Sequence, residues 1–217
     1  MKHLSDCRLY GIVDLGYVDV GNVAPVARAM ITGGVDVIQL RAKQQSIEEI
    51  VQIAICLYEI TAPSSVPLIV NDHAGVAREV RVEGVHVGQA DDSVALARRK
   101  AERPIIVGKS THSLEQATAA QSEGADYIGF GPIFATPTKP DYEPIGLNDI
   151  REAHDKIAIP IFCIGGIKLD NLPEVIAAGA KRVVIVSGIL QAADTAEYTH
   201  AAKAMLTGHL SPTTDSS

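Results

Sequence analysis

The sequence has few aromatic residues and few cysteines. Its 217 residues include six Tyr, three Phe and no Trp, so the core has to be built from aliphatic side chains. The three cysteines, Cys7, Cys56 and Cys163, are odd in number and far apart. This pattern predicts reduced thiols in a cytoplasmic protein, and it argues against a disulfide framework or a zinc site.

Long apolar runs and an excess of positive charge are also missing. The longest mostly apolar stretch, Ile157 to Ile167, is interrupted by Pro160 and by Gly165-Gly166, so no membrane-spanning helix is expected. The first residues contain no apolar segment typical of a secretory signal. Because 19 basic residues face 26 acidic ones, for a net charge of −7, we expect no nucleic-acid partner, and without a spanning helix we expect no membrane partner.

The sequence does contain a regular alternation of short β-branched runs and helical stretches. Runs such as Ile161-Phe162-Cys163-Ile164 are apolar on both faces, as expected of parallel strands covered by helices. Capping signals at Ser46-x-x-Glu49 and Ser113-x-x-Gln116 predict the starts of two helices. The eight candidate strands are Leu9–Asp14, Val35–Leu40, Pro67–Asn71, Gly84–Val87, Pro104–Gly108, Tyr127–Gly131, Pro160–Gly165 and Arg182–Ser187.

A weak internal repeat supports one fold over its alternative. Gly34-Val35-Asp36, Gly124-Ala125-Asp126 and Gly179-Ala180-Lys181 each join a helix to the next strand, at spacings near whole multiples of one-eighth of the chain. Eight such units predict an α/β fold, a single-domain (β/α)8 TIM barrel over residues 1–206, with a polar tail over 207–217. A doubly wound open sheet is the alternative, but it usually has fewer strands.

Polar residues follow the predicted strands, where barrel enzymes carry their chemistry. Arg41, Lys43, Lys109 and Lys139 form a cationic set that predicts a polyanion site. Lys109 is the weakest member, because its side chain could point away from the barrel axis.

Acidic residues and glycines add two further features to the same rim. Asp72 and Asp91, after adjacent strands, suit a Mg²⁺ ion that takes one or two carboxylates and completes its shell with water and phosphate oxygens, and Asp92 is a competing ligand. Gly165-Gly166 and Ser187-Gly188 follow the last two strands, where barrels often bind a phosphate on backbone N–H groups.

A nucleophile is not evident. Cys163 lies inside a strand and is expected in the core, and His86 could be a core histidine with its hydrogen bonds satisfied. The spacing of Ser110 and His112 does not establish a Ser–His pair. The site therefore favours electrostatic chemistry, in which a diphosphate leaves and the other substrate carries a phosphate.

The motifs resemble the thiamine-phosphate synthase family from about Leu9 to Met205, in order along successive strands. The resemblance implies a (β/α)8 transferase that joins a hydroxymethylpyrimidine diphosphate to a thiazole phosphate, its carboxylated form included. The products would be thiamine phosphate and diphosphate, formed by a dissociative substitution with one Mg²⁺ per active site. The motifs are Gln39-Leu40-Arg41-Ala42-Lys43, Val70-Asn71-Asp72, Gly84-Val85-His86-Val87-Gly88-Gln89 with Asp91, Gly131-Pro132-Ile133-Phe134-Ala135-Thr136-Pro137-Thr138-Lys139 and Gly165-Gly166-Ile167.

Transferred residue by residue, the resemblance implies a set of site residues. Asp72 and Asp91 would hold the metal. The catalytic group would be Arg41, Lys43, Ser110 and Lys139. The pyrimidine diphosphate site would comprise Gln39, Leu40, Arg41, Ala42, Lys43, Asn71, Ser110 and Lys139. The thiazole phosphate site would comprise Thr136, Pro137, Thr138, Gly166, Val186 and Ser187.

Some positions depart from the family pattern, and other functions stay open. The first strand ends Ile12-Val13-Asp14 where Thr-Asp is commoner, and Lys109 precedes Ser110 where small or apolar residues are usual. A relative that acts as a thiazole tautomerase, or a non-catalytic barrel that binds a phosphate ligand, are the alternatives. The sequence leaves the oligomeric state open, a homo-oligomer included.

Overall fold

Eight parallel strands close into a barrel in a computed structural model, which describes residues 3–136 and 143–208. Each strand pairs with the next along the chain, and the last strand pairs with the first to close the ring. This confirms the predicted barrel and excludes the open sheet. The strands are β1 (Leu9–Asp14), β2 (Val37–Arg41), β3 (Leu68–Asn71), β4 (Gly84–Val87), β5 (Ile106–Thr111), β6 (Tyr127–Phe130), β7 (Ile161–Cys163) and β8 (Val183–Ile185).

Helices follow the strands and cover the outside of the barrel. Ser46 caps the helix that starts at Ile47, as predicted, since its Oγ accepts from the N–H of Glu49 at 3.2 Å while Glu49 Oε2 accepts from the N–H of Ser46 at 2.8 Å. The helices of the described residues are α1 (Val23–Thr32), α2 (Ile47–Thr61), α3 (Val76–Glu79), α4 (Val94–Ala101), α5 (Leu114–Ser122), α6 (Ile150–Lys156), α7 (Leu172–Ala177), α8 (Ser187–Leu190) and α9 (Thr195–Thr207). The predicted tail lies outside the described residues from 209 onward.

The strands bury both faces, which explains their continuous apolar runs. One face packs against the helices and forms the larger core, with residues such as Leu40, Leu68 and Val107. The other face fills the barrel, where Tyr10, Tyr127 and Phe162 are the largest side chains. Three of the nine aromatic residues of this chain therefore lie together inside the barrel.

The fifth strand is longer than predicted and starts later. The sequence placed it at Pro104–Gly108, but β5 runs from Ile106 to Thr111 and pairs through Ser110 and Thr111 with β6. Because side chains alternate along a strand, Lys109 and Ser110 point to opposite faces of the sheet. Both polar residues can therefore belong to the strand, because the side chain of each forms a hydrogen bond on its own face of the sheet.

Two copies of the internal repeat, Gly34-Val35-Asp36 and Gly124-Ala125-Asp126, connect the end of a helix to the start of the next strand. Gly34 and Gly124 adopt φ values of 92° and 84°, a backbone conformation that favours glycine at a helix end. Two residues later, Asp36 Oδ2 accepts from the N–H groups of Arg8 and Leu9 at 2.8 and 3.0 Å. Asp126 Oδ2 accepts in the same way from the N–H of Val107 at 2.6 Å. These carboxylates satisfy strand donors at the end of the barrel opposite the predicted site.

Helix lengths and hydropathy bear on membrane insertion. Within the described residues, no helix combines the length and the apolar character needed to cross a bilayer.

Replacement of Asp36 by Ala should lower the free energy of unfolding by about 3 kcal/mol, since the N–H groups of Arg8 and Leu9 and the Lys203 ammonium lose a buried acceptor. Urea unfolding followed by circular dichroism measures this loss. Asp36→Asn keeps an acceptor oxygen and should lose less, whereas replacement of the exposed Glu59 by Ala should change little. An unchanged transition in Asp36→Ala would contradict the role assigned to this carboxylate.

Candidate active site

A cavity opens at the carboxyl ends of the strands and reaches down into the barrel. Its floor is aromatic. The ring of Phe162 lies edge-on to those of Tyr10 and Tyr127, with centroids 5.3 and 5.6 Å away, and the two tyrosine rings are 5.9 Å apart. Polar side chains from β1 to β5 form one wall of the cavity, and the loops after β6, β7 and β8 form the other. A flat ring with polar substituents would find apolar faces below it and hydrogen-bonding groups beside it.

Two buried tyrosines connect the polar wall. Tyr10 Oη donates to Gln39 Oε1 at 2.8 Å and lies 3.0 Å from Tyr127 Oη. Gln39 Nε2 donates in turn to Asn71 Oδ1 at 3.0 Å. Burial raises the pKa of both tyrosines, so their hydroxyl groups stay protonated across the physiological range and are available as donors.

The same connection continues to the fifth strand. His86 Nδ1 lies 3.0 Å from Tyr127 Oη, and His86 Nε2 lies 2.9 Å from Ser110 Oγ. His86 is therefore a member of the cavity wall with both ring nitrogens hydrogen-bonded, where the sequence suggested a core histidine. A continuous chain of six side chains, one from each of β1 to β6, runs from Asn71 to Ser110.

Arg41 and Lys43, two predicted rim cations within the described residues, are paired with carboxylates. The Arg41 guanidinium contacts Asp14 Oδ2 at 2.8 Å, and Lys43 Nζ binds Asp72 Oδ2. Asp14 is itself fixed by the N–H of Gly16 at 2.9 Å. The inclusion of Lys109 in the cationic set is wrong, because its ammonium binds Glu123 at 2.6 Å on the helix side of the sheet. Alternation along β5 turns Lys109 outward while Ser110 faces the cavity.

The two predicted metal ligands lie side by side. Asp72 follows β3, and burial raises the pKa of its carboxyl, with a hydrogen bond from Lys43 lowering it and a hydrogen-bonding contact to Asp91 raising it. Asp91 is held by the N–H of Gly88 at 2.8 Å. Asp92, the competing ligand, is instead bound to Lys100 at 2.8 and 2.9 Å on the next helix.

Two adjacent carboxylates fit a hard cation that keeps open positions. Within residues 3–136 and 143–208, no three His, Cys, Asp or Glu side chains gather into a metal cage. Mg²⁺ needs no such cage, because it is held by one or two carboxylates and takes its remaining oxygens from water and substrate phosphates. The donor set of Asp72 and Asp91 therefore suits Mg²⁺ better than a metal that requires full protein ligation.

Glycine backbone lines the opposite wall of the cavity. Gly166 has a φ of 65°, and a Cβ there would lie 2.7 Å from the Cβ of Phe134 and 2.8 Å from the carbonyl oxygen of Ala135. Val186 and Ser187, at the end of β8 and the start of α8, and Thr136 also line this wall. Pro137, Thr138 and Lys139 lie outside the described residues.

The remaining predicted residues take different positions. Leu40 and Ala42 pack in the outer core, so that only their backbone faces the rim. Cys163 is fully buried, and burial raises the pKa of its thiol to about 12, as expected of a core residue and unlike a nucleophile. His112 lines the cavity with its Nδ1 against the carbonyl oxygen of Gly131 at 2.5 Å, rather than against Ser110.

Comparison with known proteins decides the family. The family model described as thiamine monophosphate synthase matches residues 9–189. The chain belongs to this family. A thiamine-phosphate synthase of Chloroflexus aurantiacus is 44% identical over 195 residues, which are 89% of this chain and 90% of the relative. A second, from Halalkalibacterium halodurans, is 41% identical over 88% of this chain and 91% of its own length.

A solved structure agrees with the sequence relatives. The thiamine phosphate pyrophosphorylase of Pyrococcus furiosus superposes with a TM-score of 0.87 at 30% identity, over 96% of this chain and 99% of that one. These matches confirm the predicted thiamine monophosphate synthase family, and with it the predicted activity, a transferase that forms thiamine phosphate.

Four cavity residues escaped the sequence analysis. Tyr10, Tyr127 and Phe162 look like ordinary strand residues, and Asp14 was named only as the last residue of a strand in which Val13 departs from the family pattern. A tyrosine within a doubly buried strand is a usable signal, because its hydroxyl must find a polar partner inside the barrel. Asp14 could have been found from its place at the end of β1, beside Arg41 in the β1–β2 register.

Proposed function

We propose that this cavity joins a hydroxymethylpyrimidine diphosphate to a thiazole phosphate, with release of diphosphate. One observation supports the proposal, namely that a cationic group of residues and a wall of glycine backbone lie on separate sides of one barrel rim. Arg41 ends β2, and Lys43 and the Asp72–Asp91 pair follow β2, β3 and β4, whereas Gly166 and Ser187 follow β7 and β8. Two phosphorylated substrates would thus meet with their reacting rings over the aromatic floor.

The cationic side fits a diphosphate that must leave. Arg41 presents a planar fork of donors, and Lys43 adds a compact charge next to the paired carboxylates. We assign Lys139 to the same group, although it lies outside the described residues. These groups stabilise negative charge as it develops on the departing oxygen, which is the largest contribution such a site can make to the rate.

Asp72 and Asp91 would hold Mg²⁺ beside the same diphosphate. Bound there, the ion would neutralise charge on the leaving group and fix its orientation. Lys43 contacts Asp72 in the present structure, so the protein already balances part of this carboxylate charge. The ammonium and the metal site are close enough to serve one polyanion together.

The chemistry requires little else from the protein. Departure of diphosphate leaves a cation on the pyrimidine methylene carbon, which the aminopyrimidine ring delocalises and the thiazole nitrogen then attacks. No protein nucleophile is needed for this sequence of events. Tyr10, Tyr127 and Phe162 would hold the pyrimidine against water, which would otherwise consume the cation.

The glycine wall suits the thiazole phosphate, its carboxylated form included. Close approach of backbone to an anion requires the absence of a side chain, as at Gly166. Thr136, Val186 and Ser187 complete the described part of this wall, and Pro137 and Thr138 are assigned to it without structural description. We further propose a cytoplasmic location, supported by the three cysteines, none of which forms a disulfide.

A coupled assay tests the proposed reaction directly. Purified protein with both substrates and Mg²⁺ should form thiamine phosphate and diphosphate in equal amounts, detected by oxidation to the fluorescent thiochrome. The control omits the pyrimidine diphosphate. A tautomerase-like relative would change the thiazole without coupling it. A non-catalytic phosphate-binding barrel would gain thermal stability from the thiazole phosphate alone, with diphosphate and Mg²⁺ having no joint effect.

Replacement of Asp72 or Asp91 by Asn should raise the Mg²⁺ concentration for half-maximal activity at least tenfold, because each amide removes one unit of ligand charge. The measurement is a Mg²⁺ titration of the initial rate at saturating substrates. Asp92→Asn is the matched control and should behave as the unmodified protein, since Asp92 binds Lys100. An unaltered Mg²⁺ requirement in both Asp72→Asn and Asp91→Asn would refute the assignment.

Replacement of Gly166 by Val should raise KM for the thiazole phosphate by about tenfold or more, while KM for the pyrimidine diphosphate changes little, because the new side chain collides with Phe134 and Ala135 at the anion wall. Gly124→Ala is the control, since it imposes a similar backbone strain at φ 84° with nothing within 4 Å of the new Cβ. A selective effect on the pyrimidine substrate would contradict this placement of the thiazole phosphate.

A further inference from the structure

The hydrogen-bond chain in the barrel has one polarity, and a single bond sets it. Tyr10 Oη donates to Gln39 Oε1. A phenol has only one hydrogen, so at the 3.0 Å contact between the two tyrosines Tyr127 is the donor and Tyr10 the acceptor. The hydrogen of Tyr127 is then committed as well, and Tyr127 can only accept from His86 Nδ1 at 3.0 Å.

The polarity extends to both ends of the chain. A neutral imidazole that donates from Nδ1 has a bare Nε2, which must accept from Ser110 Oγ at 2.9 Å. The hydrogen of Ser110 therefore points at His86, and its oxygen is left to accept from whatever occupies the cavity. At the other end Asn71 accepts from Gln39 through Oδ1, so its amide nitrogen is a donor.

We propose that Tyr127 is a positioning residue, which acts through His86 to hold Ser110 as an acceptor while Gln39 and Asn71 remain donors. Buried on the floor of the barrel, Tyr127 is set apart from the anion sites at its rim. Tyr127 joins Tyr10, on the side of the polar wall formed by β1 to β3, to His86, on the side formed by β4 and β5. The donor and acceptor characters of the two sides are consequently not independent.

The consequence concerns the orientation of the heterocycle, and it depends on the proposed function. An aminopyrimidine carries an N–H donor next to a ring nitrogen acceptor. A wall with an acceptor on β5 and donors on β2 and β3 can hydrogen-bond to both groups of that edge in one orientation of the ring. When the ring is turned over, donor faces donor and acceptor faces acceptor. Tyr127 would thereby select the orientation in which the reacting carbon faces the thiazole site.

The tautomer of His86 is the direct test. Nitrogen-15 NMR of the ligand-free protein should show His86 protonated at Nδ1, whereas histidine in water favours the Nε2–H form. Tyr127→Phe removes the acceptor of that proton, and His86 should revert to Nε2–H. Tyr58→Phe, which removes a phenol on helix α2 outside the barrel, should leave the Nδ1–H signal intact. A wild-type His86 protonated at Nε2, or a tautomer unchanged in Tyr127→Phe, would overturn the proposal.

A double-mutant cycle tests the functional side. Tyr127→Phe should lower kcat/KM for the pyrimidine diphosphate about tenfold, and by less than about twofold when Ser110 is already Ala, because Tyr127 acts through Ser110. KM for the thiazole phosphate should stay the same in both backgrounds. Equal effects of Tyr127→Phe with and without Ser110 would show a general packing role and would sink the proposal.

Two provisions keep the outcomes separate. If Tyr127→Phe does not fold, Tyr10→Phe replaces it. In that variant Tyr127 has lost its acceptor and can donate its hydrogen to His86 Nδ1, so the Nε2–H form of His86 should appear. A pure Nδ1–H signal in Tyr10→Phe counts against the proposal. Because the NMR measurement uses free protein, it is independent of activity. Failure to form thiamine phosphate would reject the proposed function, whereas an Nε2–H tautomer in an active enzyme would reject only the role of Tyr127.

Discussion

Closure of a parallel sheet is the constraint on which the rest of this protein depends. A parallel strand has to be covered on both faces, and a ring of eight leaves no exposed edge. Because all eight strands run the same way, their carboxyl ends meet at one rim. Residues far apart in the chain, such as Arg41 and Ser187, therefore border the same cavity.

The interior of the barrel explains why the site can be both rigid and polar. Three aromatic rings fill the lower part, and the polar groups above them are linked by hydrogen bonds from strand to strand. A buried hydroxyl without a partner would cost free energy, so each tyrosine is kept in place by its neighbour as well as by packing. Such a wall needs little rearrangement when a flat substrate arrives.

The rim has a different electrostatic character. Arg41 and Lys43 are each paired with a carboxylate, and one of these carboxylates is a proposed metal ligand. A protein with a net charge of −7 can thus hold cations ready for a diphosphate without leaving them unbalanced. The outward turn of Lys109 shows how sharply strand alternation separates a site residue from a surface ion pair.

Sequence reasoning recovered the architecture and the strand-end residues, because their signals are local. Doubly apolar runs mark buried parallel strands, and polar residues directly after them mark the rim. The end of β5 was placed too early, since polar Lys109 and Ser110 look like loop residues until each has a partner on its own face. Tyr10, Tyr127 and Asp14 were missed because the sequence does not show which side chain of a neighbouring strand each of them contacts.

The sequence by itself thus determined the barrel, the family motifs and the set of charged residues available for catalysis. Only the tertiary structure decided which charges pair, which face Lys109 takes and in which direction the hydrogen bonds run from Ser110 to Asn71. The physical reason is that pairing and polarity depend on distances of about 3 Å between atoms on different strands. Those distances exist only once the ring has closed and the register of each strand pair is set.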